Sequence, residues 1–206
     1  AGPIPATVPG SVHTDLLAAG LIPDPYLDDH ERRLAWIGLA DWRYETVLDW
    51  PLGAAGDPDR VQLVFEGLDT VARVELNGEP VATTANMHRT YRIDVSDRLR
   101  PGENRLAVTF SSAIRYADAM SLTLGARPHV IHHPYNAIRK AAYSFGWDWG
   151  PDLVGAGIWR PVRLHAWCTA RLASVRPVTT VEGDAGMMVT HVAVERAGDA
   201  GDLVVE

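Results

Sequence analysis

From Val61 onward, apolar and polar residues alternate with period two over most of the chain. Val61, Leu63 and Phe65 point one way, and Ala72, Val74 and Leu76 make the next strand. That strand runs into Asn77-Gly78, a strong type I′ hairpin signal. Tyr91, Ile93 and Val95 form another strand, Pro101-Gly102-Glu103-Asn104 predicts a turn, and Leu106, Val108 and Phe110 resume the alternation. Ile158, Val162 and Leu164 give a late strand whose opposite face carries Trp159, Arg163 and Trp167. Many short strands punctuated by Gly, Pro and Asn predict an all-β fold, a jelly-roll β-sandwich.

Two stretches depart from that pattern. Pro9 to Gly20 predicts one short N-terminal helix, with Ser11 as N-cap, Leu16 and Leu17 as the apolar face, and Gly20 at the position past the C-cap. Pro23 and Pro25 stop its continuation, and no other helix is predicted. Between Ser111 and Trp149 the alternation fails, and a long irregular segment inside a β domain is often a functional loop. The character shifts again around Thr169 to Ser174, and fresh strands follow at Val189 to Val194 and Leu203 to Val205. That tail is too short for a complete sandwich of about 100 residues. The chain therefore divides into a sandwich over residues 1–168 and, over 169–206, the first strands of a second domain.

Composition narrows the classes. The chain has 206 residues, a net charge of −7 and no cluster of Lys and Arg. That balance argues against a nucleic-acid or anionic-membrane surface. Cys168 is the only cysteine, so no intrachain disulfide forms and a disulfide-dense scaffold is excluded. No apolar run approaches the roughly 18 residues that span a membrane. The chain starts at Ala1 with no Met and no charged-then-apolar leader. It reads as trimmed, with any export signal unseen. The compartment stays open, with a lean to the cytoplasm.

The most informative run is Phe145-Gly146-Trp147-Asp148-Trp149-Gly150-Pro151. It sets one carboxylate between two indoles and brackets them with glycines and a proline. An exposed indole and a buried carboxylate are each costly without a partner. A sugar offers both partners: an apolar ring face for the indole and hydroxyl donors for the acid. The same run also reads as a structural corner, with the indoles in the core and Asp148 capping a turn.

Other constellations are weaker. His129-x-x-His132-His133 lacks a standard zinc spacing and has no Cys, and nothing places Asp28-Asp29-His30-Glu31 beside it, so no metal is expected. No G-x-S-x-G elbow and no phosphate-binding glycine loop is present. Asp148 and Asp152 fall in one turn and do not read as the paired acids of a retaining hydrolase. No catalytic residue is assigned in this chain, and no cofactor is implied. Arg139 and Lys140 either pair with Asp148 or are solvated.

The motifs, taken in order, resemble the β-mannosidases of glycoside hydrolase family two. Ala6-Thr7-Val8-Pro9-Gly10-Ser11-Val12-His13-Thr14-Asp15-Leu16-Leu17 is similar to their opening. Trp42-Arg43-Tyr44, Phe65-Glu66-Gly67-Leu68-Asp69 and Val74-Glu75-Leu76-Asn77-Gly78 resemble the family's sugar-binding-like jelly roll. Arg139 through Pro151 resembles its mannosidase version in particular, and Gly157-Ile158-Trp159-Arg160-Pro161-Val162 its closing strand.

The resemblance implies an exo-acting retaining hydrolase that removes terminal β-D-mannose from a glycan or manno-oligosaccharide. It implies that the jelly roll is followed by an immunoglobulin-like sandwich and then a TIM barrel bearing two catalytic glutamates, its partner in forming the pocket. It implies substrate-binding roles for Asp148, accepting from non-reacting mannose hydroxyls, for Trp147 lining the pocket, and for Trp149. No barrel is present here, so neither glutamate is carried over. Two other readings stand beside it. One is a stand-alone carbohydrate-binding module. The other is the same domain from a β-galactosidase, β-glucuronidase or exo-β-glucosaminidase.

Overall fold

Ser11 opens a helix as the sequence predicts. The structure, a computed structural model, describes residues 2–51, 58–198 and 201–204. Helix α1 spans Val12–Ala18. The Thr14 amide donates to the Ser11 hydroxyl and the Ser11 amide donates to the Thr14 hydroxyl, a reciprocal capping box. Gly20 follows at φ +67°, the left-handed conformation that favours glycine past a helix end. The buried face is Val12, Asp15 and Leu16, whereas Leu17 is exposed. Neighbours on a helix lie about 100° apart, so Leu16 and Leu17 cannot share one narrow face, and Val12, a turn earlier, completes it.

Two one-turn helices follow, α2 (His30–Arg33) and α3 (Trp36–Leu39). Then come strands β1 (Trp42–Trp50), β2 (Arg60–Phe65), β3 (Val71–Leu76), β4 (Glu79–Ala85), β5 (Tyr91–Asp94) and β6 (Gly102–Phe110). Helix α4 (Ala113–Leu124), a small hairpin of β7 (Phe145–Trp147) and β8 (Gly150–Asp152), and strand β9 (Val162–Trp167) complete the main body. A long hairpin, β10 (Ala170–Glu182) and β11 (Ala185–Arg196), is the last regular structure among the described residues. Of the strand expected at Leu203 to Val205, Leu203 and Val204 are not in a strand and Val205 lies outside the described residues.

The body is a two-layer antiparallel sandwich. One sheet runs β1-β6-β3-β4 and the other β5-β2-β9. Leu63, Phe65, Val74, Leu76, Val108 and Phe110 lie between them, each at most 2% exposed. These are the alternating apolar positions of the sequence, so the period-two pattern locates the core directly. Asn77 and Gly78 take φ +54° and +85° at the β3–β4 turn, as a type I′ loop requires.

Three local readings change. The turn expected at Pro101–Asn104 lies earlier, because β6 already begins at Gly102. Buried Asn104 explains the shift: its amide donates to Arg100 O and Gly102 O, its oxygen accepts from Arg100 N, and Asn77 Nδ2 also donates to it. Ile158 and Trp159 precede β9 rather than belonging to it. Gly157 instead exchanges backbone hydrogen bonds with Asp69, and a Cβ at Gly157 would fall 2.5 Å from Gly10 O, so the close crossing needs a glycine. Trp167 is nearly buried rather than outward-facing, because the Arg171 guanidinium lies 4.5 Å over its ring.

The segment read as irregular contains helix α4. Ser112 caps it, accepting from Arg115 N at 3.1 Å. Ala113, Ile114 and Ala117 pack against Phe145, Ile138 and Val154 in a second, smaller core. The helical period is confined to the first two turns; Leu122 and Leu124 are exposed, which hid the helix from a pattern search. Among the described residues, no helix is long and apolar enough to cross a membrane.

Candidate functional site

The F-G-W-D-W-G-P run forms hairpin β7–β8 at one end of the sandwich. Phe145 pairs with Asp152 and Trp147 with Gly150, leaving Asp148-Trp149 as the connecting turn. Phe145 is 2% exposed and anchors the hairpin in the second core. Gly146 has φ +87°, so the chain turns between the buried Phe145 and the exposed Trp147 in a way a residue with a Cβ resists. Trp147, Asp148 and Trp149 are all exposed, Trp149 at 70%. The structural-corner reading, with the indoles in the core, therefore does not describe this turn.

Beside the hairpin lies an open pocket of about 740 Å³. One wall is His129 to His132; the other is Phe145 to Asp148 with Asp152. Its size falls within the roughly 300–1,000 Å³ of small-molecule sites. The structure brings Trp147 and Asp148 together on this wall. Trp149 is placed differently: it pairs with the exposed Tyr143, ring centroids 6.1 Å apart, outside the pocket lining.

A larger cavity of about 1080 Å³ opens between the two sheets beneath the N-terminal arm. The polar pair buried there, Tyr44 and Asp15, is already joined at 3.1 Å, and Asp15 also accepts from Thr7 N. Burial first, and then the Asp15 carboxylate, push the Tyr44 phenol above its usual range.

The base of the hairpin is tied down by Lys140. Lys140 neither pairs with Asp148 nor faces solvent: its side chain is 1% exposed, ion-pairs with Asp69, and donates to Gly155 O at 2.9 Å. Asp69 belongs to the loop after β2, and Gly155 to the segment after β8. One ammonium thus joins three separate loops at the end of the sandwich that carries Asp148. Arg139 is exposed, and its carbonyl accepts from Met87 N at 3.0 Å.

His13, on α1, sits against Gly155 beside this pair. Burial, and then the Lys140 charge, push its imidazole down to about 4. Unfolded, it titrates near 6.5, so the unfolded chain takes up the proton first. The associated stability is present above about pH 6.5 and is lost as pH falls toward about 4, at up to about 1.4 kcal/mol per pH unit. The unfolding midpoint of the native chain should therefore fall more steeply over this range than that of His13→Asn; parallel slopes would contradict the assignment.

Two residues weighed in the sequence only as possible metal ligands contact Asp152 at the edge of the pocket. Glu31, on α2, accepts from Asp152 N at 2.7 Å. His133 places Nε2 3.5 Å from Asp152 Oδ2 and its ring 6.0 Å from that of Phe145. The acidic run at residues 28–31, which nothing in the sequence places near the histidines, thus meets them through Asp152. Among the described residues no group of three acidic, His or Cys side chains is arranged to hold a metal ion.

The fold is that of a two-layer antiparallel β-sandwich domain with a pocket at one end. The glycosyl hydrolase 2 galactose-binding domain-like family matches residues 2–160, and the chain belongs to that family. It is 38% identical over 204 residues to a β-mannosidase B of Thermothelomyces thermophilus, covering 92% of this chain and 22% of that protein. It is 36% identical over 178 residues to a β-mannosidase of Mus musculus, covering 82% of this chain and 20% of that protein. The crystal structure of a β-D-mannosidase from Dictyoglomus thermophilum superposes with a TM-score of 0.84 at 35% identity, over 93% of this chain and 24% of that one. The chain thus spans about a fifth of the length of the curated relatives it matches.

Proposed function

We propose that this chain is the N-terminal, non-catalytic part of an exo-acting retaining β-mannosidase that hydrolyses terminal β-D-mannose. The observation that carries the reading is the wall formed by Trp147 and Asp148: an indole and an exposed carboxylate on a hairpin anchored by Phe145, beside a pocket of sugar-binding size. In the whole protein this wall grips the non-reacting hydroxyls of the terminal mannose, and a downstream barrel supplies the two glutamates. Trp149 belongs to the same turn and contributes from its outer side. The β-mannosidase names of relatives at 36% and 38% identity support mannose over other sugars.

The division at residues 168 and 169 is part of this proposal. Strands β10 and β11 place Leu172 opposite Val194 and Val175 opposite Val192, and continue the same face with Pro177 and Met188. These residues lie on a long two-stranded hairpin that is exposed almost throughout. An apolar face of that length calls for a second sheet over it, as in an immunoglobulin-like sandwich whose remaining strands come later in the protein.

The test is hydrolysis. The purified 206-residue chain should release no p-nitrophenol from p-nitrophenyl β-D-mannoside. The full-length protein should cleave that substrate in preference to the β-galactoside, β-glucuronide and β-glucosaminide. Activity of the chain alone, or preference for another sugar, would overturn the reading. Calorimetric binding of manno-oligosaccharides by the folded chain alone would favour a self-sufficient binding module instead.

A further inference from the structure

The hairpin that carries Asp148 is short, three residues on each strand. Its first strand is anchored by buried Phe145. Its second strand, β8, ends at the half-buried Asp152, two residues before Val154 enters the second core. Two polar contacts also fix Asp152 itself. Glu31, projecting from the first turn of α2, accepts the Asp152 amide at 2.7 Å, and His133 approaches the Asp152 carboxylate at 3.5 Å while resting against Phe145.

The geometry points to Glu31 and His133 as positioning residues: they clamp Asp152 and, through β8, set where the turn holds the Asp148 carboxylate in the pocket. The inference rests on the proposed role of Asp148 in gripping the sugar. Neither clamp residue needs to touch substrate, and Glu31 is outside the pocket wall.

The charges around Asp152 fit a clamp. Burial, and secondarily Glu31, raise its carboxyl above the usual range, while His133 and then His132 oppose the rise. Two carboxyl groups this close disfavour each other unless a backbone N–H occupies one and an imidazole faces the other. The structure provides both. The Asp152 amide fills one Glu31 oxygen, and the His133 imidazole lies 3.5 Å from the Asp152 carboxylate. Loss of the Glu31 acceptor frees the strand, whereas Gln at that position keeps an oxygen in place for the amide.

A double-mutant cycle tests this in the full-length protein with p-nitrophenyl β-D-mannoside. Glu31→Ala should lower kcat/KM about tenfold, because a displaced binding group loses part of its contribution. Glu31→Gln should recover most of that loss. His133→Phe keeps a ring against Phe145 but loses the contact to Asp152, and should behave like Glu31→Ala. In an Asp148→Ala background, Glu31→Ala should cost less than about twofold, since the group it positions is gone. An equal loss in both backgrounds, or no loss in either, would overturn the clamp. A near-native Asp148→Ala single variant would instead overturn the reading of Asp148 beneath it, so the two failures are distinct.

Discussion

Asp148→Ala in the full-length protein should lower kcat/KM for an aryl β-mannoside by two to three orders of magnitude, corresponding to about 3–4 kcal/mol. The carboxylate is exposed on a fixed turn, so the substitution removes an acceptor without leaving a cavity or an orphaned partner in this domain. Fold and stability should be unchanged, and the whole loss should fall on sugar recognition. Hydroxyl contacts that tighten as the ring distorts act at the transition state, so kcat should fall along with kcat/KM. Asp148→Asn is the sharper comparison: it keeps the size and one oxygen but loses the charge that strengthens each hydrogen bond. An intermediate loss is expected for it. Steady-state kinetics of both variants, with unfolding midpoints measured in parallel, separate recognition from folding.

The second large effect is on stability. Lys140→Met should destabilise the 206-residue chain by about 3–5 kcal/mol. The side chain is 1% exposed, and its removal leaves the Asp69 carboxylate, itself only 15% exposed, without its counter-charge. Gly155 O loses its donor as well. For a chain of this size the loss corresponds to roughly 10 °C in the unfolding midpoint. Lys140→Met combined with Asp69→Leu should recover much of it, because an apolar pair of similar volume replaces a charge pair that was costly to desolvate. If Lys140→Met alone unfolds at the native temperature, the pair contributes nothing and the three loops it joins are held by other contacts.

How far the sequence reveals this molecule depends on the range of the interactions. Period-two alternation places Leu63, Phe65, Val74, Leu76, Val108 and Phe110 in the core because each strand's pattern is complete within itself. The Ser11 cap, Gly20 and the Asn77-Gly78 turn are legible for the same reason: each is a local device of a few residues. Helix α4 was not legible, since only its first two turns face a core and its exposed second half carries leucines where polar residues would mark a surface. The FGWDWGP run marked a turn joining two indoles and a carboxylate, and left open whether the indoles face the core or a sugar. It did not announce that Trp147 and Asp148 face the pocket while Trp149 turns toward Tyr143. Nothing in the sequence signals that Lys140 meets Asp69, 71 residues away, or that Glu31 meets Asp152 across 121 residues. Such pairs are made by the packing of loops at one end of the sandwich. Lys140 looked solvated because lysine beside arginine in a loop ordinarily is.

In the proposed whole enzyme, the turn at Trp147 and Asp148 is the sugar-gripping wall of a pocket completed by the rest of the protein. The most direct measurement is a crystal structure of the full-length protein with a bound, non-hydrolysed β-mannoside. An Asp148 oxygen should lie within about 2.5–3.2 Å of a hydroxyl of the terminal mannose, the distance of a hydrogen bond, with the Trp147 ring against the sugar. A terminal mannose held entirely by other residues, with Asp148 facing solvent, would contradict it.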